Sequence, residues 1–197
     1  MLVLLVVAFV GPWYVMSVNG ALGMNGHVDF YLTRMEAKGT FNSQDLTISV
    51  NYVNAKENAQ SLGVNTESFT VIENAMYLTF FAMVTALIAV IGIAAFVFRL
   101  GTPKIMKYFG GGFALLTFIL ALVQALYVMN TEFAENTSGF WFNQSVLGVT
   151  ITGGPGYSWY LMVVVAIIAL ICAVVILIKK IVPEVTSSEK GASPVEK

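Results

Sequence analysis

Four stretches of the chain carry no charged side chain: Met1–Val28, Asn74–Phe98, Tyr108–Thr131 and Asn136–Ile178. A hydrocarbon core of ~30 Å needs about 20 apolar residues of helix. Ala75–Phe98, Phe109–Met129 and Ser158–Ile178 each meet that length, while the first run, Met1–Met16, is shorter. The pattern predicts transmembrane helices at 1–17, 75–99, 108–130 and 157–181. Between them lie a long loop (18–74), a tight turn (100–107) and a second loop (131–156), with a polar tail (182–197) rich in Ser, Glu and Lys that reads as disordered. Gly101 and Pro103 stop the second helix, and the short turn makes helices two and three an antiparallel hairpin.

The long loop has a different rhythm. Val28, Phe30 and Leu32 alternate with Asp29, Tyr31 and Thr33; Leu46, Ile48, Val50 and Tyr52 alternate with Thr47, Ser49 and Asn51. Period two with β-branched and aromatic residues predicts half-buried strands, paired as a hairpin. Val146–Thr152 is one further strand candidate, ended by Gly153-Gly-Pro-Gly156. A lone hairpin is marginal, so a small antiparallel sheet fed by both loops is expected, with Ile48 and Val50 facing a core shared with the second loop. Thr66–Glu73 reads as a helical lead-in to the second span. The fold class is therefore an all-α membrane bundle of four helices with a small extracellular antiparallel sheet.

Composition agrees. Hydrophobic residues make up 57% and charged residues 11%, against about a quarter charged in ordinary soluble domains, and mean hydropathy is +0.79. Net charge is −1, so nothing points to nucleic acid. The single cysteine, Cys172, lies in the fourth span and leaves the loops without a disulfide. No Lys or Arg precedes the first apolar run, which favours a retained helix over a cleaved leader. Arg99, Lys104, Lys107, Lys179, Lys180, Lys190 and Lys197 fall on one side of a four-helix layout, whereas the acidic residues from Asp29 to Glu135 fall on the other. The positive-inside rule then makes this a multi-pass cell-membrane protein with both termini cytoplasmic.

Four helices, a large first outer loop with strands, a second outer loop with one strand and a tight cytoplasmic turn resemble the claudin superfamily, which includes claudins, peripheral myelin proteins and receptor or channel auxiliary subunits. Pro12-Trp13 is similar to a local pattern in that group. The resemblance covers nearly the whole chain as architecture. The group's first-loop Gly-Leu-Trp motif and loop cysteines are not in this sequence.

Chemistry is sparse. The span cores hold no ionisable residue, and such residues mark ion and proton paths. Gln124 is the strongest polar group there; it reads as an interhelical hydrogen bond ahead of a polar pore. Ala82/Ala86, Ala121/Ala125 and Ala169/Ala173 place small residues four apart, a spacing that lets helices pack closely. Thr150–Tyr157 is faintly similar to a carbonyl-lined potassium filter, but the residues before it read as strand and Pro155 breaks the pattern. His27 is the only histidine and lacks a convergent ligand set, so no metal or other cofactor is expected, and no nucleophile–base pair is apparent. Trp13, Tyr157, Trp159 and Tyr160 fit an interfacial aromatic belt. Phe140-Trp141-Phe142 reads either as part of that belt or as a contact patch. Asn136-Thr-Ser and Asn143-Gln-Ser are glycan-acceptor triplets on the expected outer face.

The expectation is a non-enzymatic structural or accessory protein, embedded in membrane lipid, that binds other membrane proteins or forms a homo-oligomer through its outer sheet and aromatic loop. A small non-catalytic subunit of a larger enzyme or transporter complex is the alternative, and a pore former the third.

Overall fold

A glycine–proline pair ends the first apolar run early. In the computed structural model, which describes residues 1–20, 25–41, 44–61, 66–131 and 140–179, α1 spans Leu2–Val10. Gly11 is extended (φ −87°, ψ 171°), Pro12 has no N–H with which to continue a helix, and the chain enters β1 at Tyr14–Gly20. Nine helical residues rise about 13 Å, under half of a hydrocarbon core. The expected span at 1–17 is thereby corrected: its first part is a short helix and its last part a strand. Three helices are long and apolar enough to cross a membrane, within α3 (Glu67–Val97), α4 (Pro103–Met129) and α5 (Tyr157–Ile178).

After β1 come β2 (Asn25–Phe30), β3 (Arg34–Phe41) and β4 (Gln44–Asn51), then a short helix, α2, at Tyr52–Ser61. The second loop supplies two strands where one was expected, β5 (Phe142–Val146) and β6 (Val149–Pro155). Their hairpin turns on Leu147 and Gly148, both at positive φ (50° and 78°), as a two-residue turn that follows strand twist requires. The six strands form one antiparallel sheet in the order β4-β3-β2-β1-β6-β5. The first loop therefore contributes four strands rather than a hairpin, and β1 joins them to the strands of the second loop.

The sheet is fixed to the helices where α1 enters β1 and β6 enters α5. Gly156 N–H donates to the Trp13 carbonyl (2.9 Å), Ser158 N–H to that of Pro12 (3.2 Å), and Trp13 N–H to that of Phe30 (2.6 Å). Trp13 is fully buried and its indole Nε1 donates to the Ala8 carbonyl at 2.7 Å. It is a bolt of the helix–sheet junction, which corrects its place in an aromatic belt. Trp159 is likewise partly buried, with Nε1 donating to the Ala125 carbonyl on α4 (2.9 Å).

Within the bundle, α4 lies between α3 and α5, and α1 packs on α5 and α3. Ala82, Ala86, Ala121, Ala125, Ala169 and Ala173 are all buried. Where α3 and α4 come closest, a Cβ on Gly92 would stand 2.7 Å from Gly110 Cα, so neither position has room for a side chain. The 31 residues of α3 measure about 46 Å, longer than a hydrocarbon core of ~30 Å. Its first turns, which include the expected lead-in from Thr66, pack against α2, where the Phe69 ring lies 5.9 Å from that of Tyr52, and Val71 and Ile72 join the apolar cluster that also holds Phe30. The predicted tail, 182–197, lies outside the described residues.

Candidate functional site

Strand register sorts the sheet's side chains into two unlike faces. On one face, three rows cross the strands: Val50, Met35, Phe30, Tyr14, Pro155; then Ile48, Ala37, Val28, Met16, Gly153, Phe142; then Leu46, Gly39, Gly26, Val18, Ile151, Gln144. None of these carries a charge. The opposite face has rows Ser49, Glu36, Asp29, Val15; Thr47, Lys38, His27, Ser17, Thr152, Asn143; and Asp45, Thr40, Asn25, Asn19, Thr150, Ser145. All charged residues of the six strands, Asp29, Arg34, Glu36, Lys38 and Asp45, lie on this second face.

The uncharged face is covered only in part. Near the helices, Tyr14, Phe30 and Phe142 are buried in one cluster with Ile72, Tyr52 and Phe140. The Tyr14 ring is 6.0 Å from that of Phe30 and 5.3 Å from that of Phe140. Burial raises the hydroxyl pKa of both Tyr14 and Tyr52 above the usual tyrosine range. Farther along the strands the cover ends: Leu46 is 56% and Ile48 57% exposed. This corrects the expectation that Ile48 sits in a core shared with the second loop. β4 is a strand, as expected, with its apolar and polar residues on opposite sides, but it is the edge strand farthest from β5 and β6, and along it Val50 alone is partly covered rather than one whole side being buried. At the tip of the β5–β6 hairpin, Leu147 is 99% exposed.

The aromatic triplet divides by the same alternation. Phe140 (4% exposed) and Phe142 (9%) point into the core, while Trp141 (52%) points out. A contact surface built from all three is thus not what the fold presents; Trp141 is its exposed member, beside Trp159 at 6.0 Å between ring centroids. Tyr157 and Tyr160, in the first turn of α5, are half exposed.

The polar face holds the densest chemistry. Ser17 Oγ lies 3.1 Å from His27 Nδ1, and His27 Nε2 lies 2.8 Å from Asp29 Oδ1. Arg34 Nε donates to Glu36 Oε1 (2.7 Å) and Lys38 Nζ lies 3.4 Å from Glu36 Oε2. The hydrogen bond from Arg34 holds the Glu36 carboxylate below its usual pKa, with Lys38 adding to it against a desolvation cost. A concavity of about 520 Å³ opens here, lined in part by Ser17, Asn19, His27, Lys38, Asp45 and Thr47.

Serine, histidine and aspartate in one chain invite comparison with an acyl-transfer relay. Such a site also needs donors aimed at the developing oxyanion. β1 and β2 are interior strands, so the backbone N–H groups around Ser17 and His27 point at neighbouring strands. The chain of hydrogen bonds locks β1 to β2 on the polar face. Sequence reasoning missed it because the Ser17–His27 pairing depends on register between strands, and β1 itself was not read. Among the described residues, no group of three His, Cys, Asp or Glu is placed to hold a metal ion.

Gln124 is buried between helices, and its Nε2 donates to the Ala75 carbonyl at 2.7 Å and to Thr79 Oγ1. Thr117 Oγ1 donates to Thr85 Oγ1 at 2.9 Å in the same α3–α4 seam. These groups tie two helices together. Thr150–Tyr157, compared above with a filter, forms most of β6 and the first residue of α5.

No protein-family model matches this chain, and no curated protein matches it either. The functional reading therefore rests on the geometry of the sheet.

Proposed function

We propose that this chain is a non-enzymatic membrane protein whose outer sheet docks other membrane proteins, or further copies of itself, through its uncharged face. The observation that carries the reading is the two-sidedness of the sheet. A solvated sheet face is ordinarily polar, yet here every charge sits on one face while Leu46 and Ile48 stand uncovered on the other. Exposed apolar surface rimmed by polar residues marks a contact site. The outer edge of β4 adds to it, because Gln44–Asn51 contains neither Pro nor Lys to deter a further strand. Strands from both loops over spanning helices are what this chain shares with the claudin-like architecture, with three helices of spanning length in place of four and two strands in the second loop in place of one. The same face would serve a small subunit clamped to a larger complex.

The sidedness of the membrane belongs to this proposal. Arg99, Lys104, Lys107 and Lys179 cluster at the turn end, with the Lys107 ammonium over Tyr108 (5.6 Å) and that of Lys179 over Phe96 (5.7 Å). The positive-inside rule places that end in the cytoplasm and the sheet outside. In a Cys172→Ser background, an impermeant thiol reagent applied to sealed cells is expected to label Lys56→Cys and to spare Lys104→Cys. The reverse result would invert the orientation.

Trp141 separates belt from contact. Trp141→Ser is expected to leave insertion and folding intact and to weaken the complex by about thirtyfold if the ring is a contact centre, following a cost of about 2 kcal/mol. Pull-down of co-purifying chains against the wild type measures it. An unchanged complex with a shifted bilayer depth would assign Trp141 to the belt.

A further inference from the structure

The polar face ends, on the strand at the sheet's other edge, in a triplet with its own chemistry. Asn143-Gln144-Ser145 lies in β5, which among the described residues is an edge strand paired with β6. Asn143 is exposed and continues the row of His27, Ser17 and Thr152. Ser145 is exposed on the same face, its Oγ 2.9 Å from Thr150 Oγ1. On this face Asn143 lies opposite Thr152 and two residues from both Ser145 and Trp141, whose exposed indole lies beside Gly154, so a substituent on the exposed amide of Asn143 extends into solvent past that ring without displacing the core.

We infer that Asn143 is an N-glycan acceptor, and that its carbohydrate dedicates the polar face and the β5 edge to solvent. The donor is a lipid-diphosphate-linked oligosaccharide. Asn143 Nδ2 forms a bond to C1 of the first sugar, the bond from C1 to the diphosphate oxygen breaks, the lipid diphosphate leaves, and the amide proton passes to a base of the transferase. A glycan here blocks strand addition at β5, since a large hydrated group beside an open edge prevents another backbone from pairing. Partner contact is thereby directed to the uncharged face and to β4, on the other side and other edge of the same sheet. Of the two acceptor triplets, the one at Asn136 lies outside the described residues.

The inference rests on the sidedness proposed above, and the test separates the two. The full-length chain is produced in a host whose secretory membrane glycosylates Asn-X-Ser/Thr, in an Asn136→Gln background. Mobility is compared before and after treatment with a peptide-N-glycosidase. One discrete mobility step, removed by the amidase and lost in Asn143→Gln, is the expected result. Two control variants read the topology: Lys56→Thr completes a triplet at the exposed Asn54 on α2, and Leu100→Asn places one in the turn ahead of Thr102. A step gained with Lys56→Thr but none from Asn143 would overturn the acceptor assignment and leave the sidedness standing. A step gained with Leu100→Asn and none with Lys56→Thr would overturn the sidedness itself.

Discussion

Trp13→Ala is expected to cost about 3–5 kcal/mol, the range for removing a large buried aromatic. The indole is fully buried, donates to Ala8, and sits at the point where α1, β1, β2 and the start of α5 are joined by backbone hydrogen bonds. Losing it opens a cavity where the helices and the sheet are fastened. Trp13→Phe keeps most of the volume and removes the donor, so it should cost nearer ~1 kcal/mol for the hydrogen bond, plus a share for imperfect packing. Reversible unfolding in detergent, followed by denaturant titration, measures both. A cost for Trp13→Ala below about 1 kcal/mol would mean that the ring acts as an interfacial anchor, as hydropathy alone had placed it.

The second large effect concerns assembly. Leu46→Asp and Ile48→Asp each put a charge on the uncovered part of the uncharged face, where the isolated chain leaves both side chains more than half exposed. The folded chain tolerates a charge in water, but a docked partner would bury it, and an unpaired buried charge costs several kcal/mol. Each variant is therefore expected to keep its unfolding transition within about 0.5 kcal/mol of wild type, as surface substitutions do. Each is also expected to weaken the complex by at least thirtyfold, matching a loss of about 2 kcal/mol or more. Thr47→Asp, on the opposite face, should change neither. Unfolding and pull-down measured on the same preparations separate folding from docking. A fall in stability without loss of partner would return Ile48 to a structural role.

The helices were legible because uncharged runs of spanning length leave few alternatives. The first was misread because nothing charged separates Phe9 from Asp29, so hydropathy merged a helix, an elbow and a strand; Gly11-Pro12 was the available signal. β2 and β4 were legible from alternation, since their polar positions are strongly polar. β3 was not, because Lys38-Gly39-Thr40 has the look of a turn, yet Gly39 sits inside the strand opposite Gly26. The same alternation, applied to residues 140–142, would have separated Trp141 from its two buried neighbours. The interhelical hydrogen bond of Gln124 was legible, but its partners Ala75 and Thr79 were not, and neither was the Ser17–His27 pair, because each depends on a long-range register that no local pattern encodes. One sheet fed by both loops was expected from the alternation, but not β1 and β3, the two unread strands that flank β2 and align the apolar sides of β2, β4 and β6 into a single face.

Neighbouring positions on β4 test that face most directly. Ile48→Cys and Thr47→Cys, each in a Cys172→Ser background, differ by one residue and point to opposite sides of the sheet. A photoactivated cross-linker of short reach is attached to each in native membranes, and the adducts are identified by mass. Adducts to a second copy or to another membrane protein from position 48, with little or none from position 47, are the predicted result. Adducts from position 47 alone, or none from either in membranes where the chain is abundant, would contradict a docking role for the uncharged face.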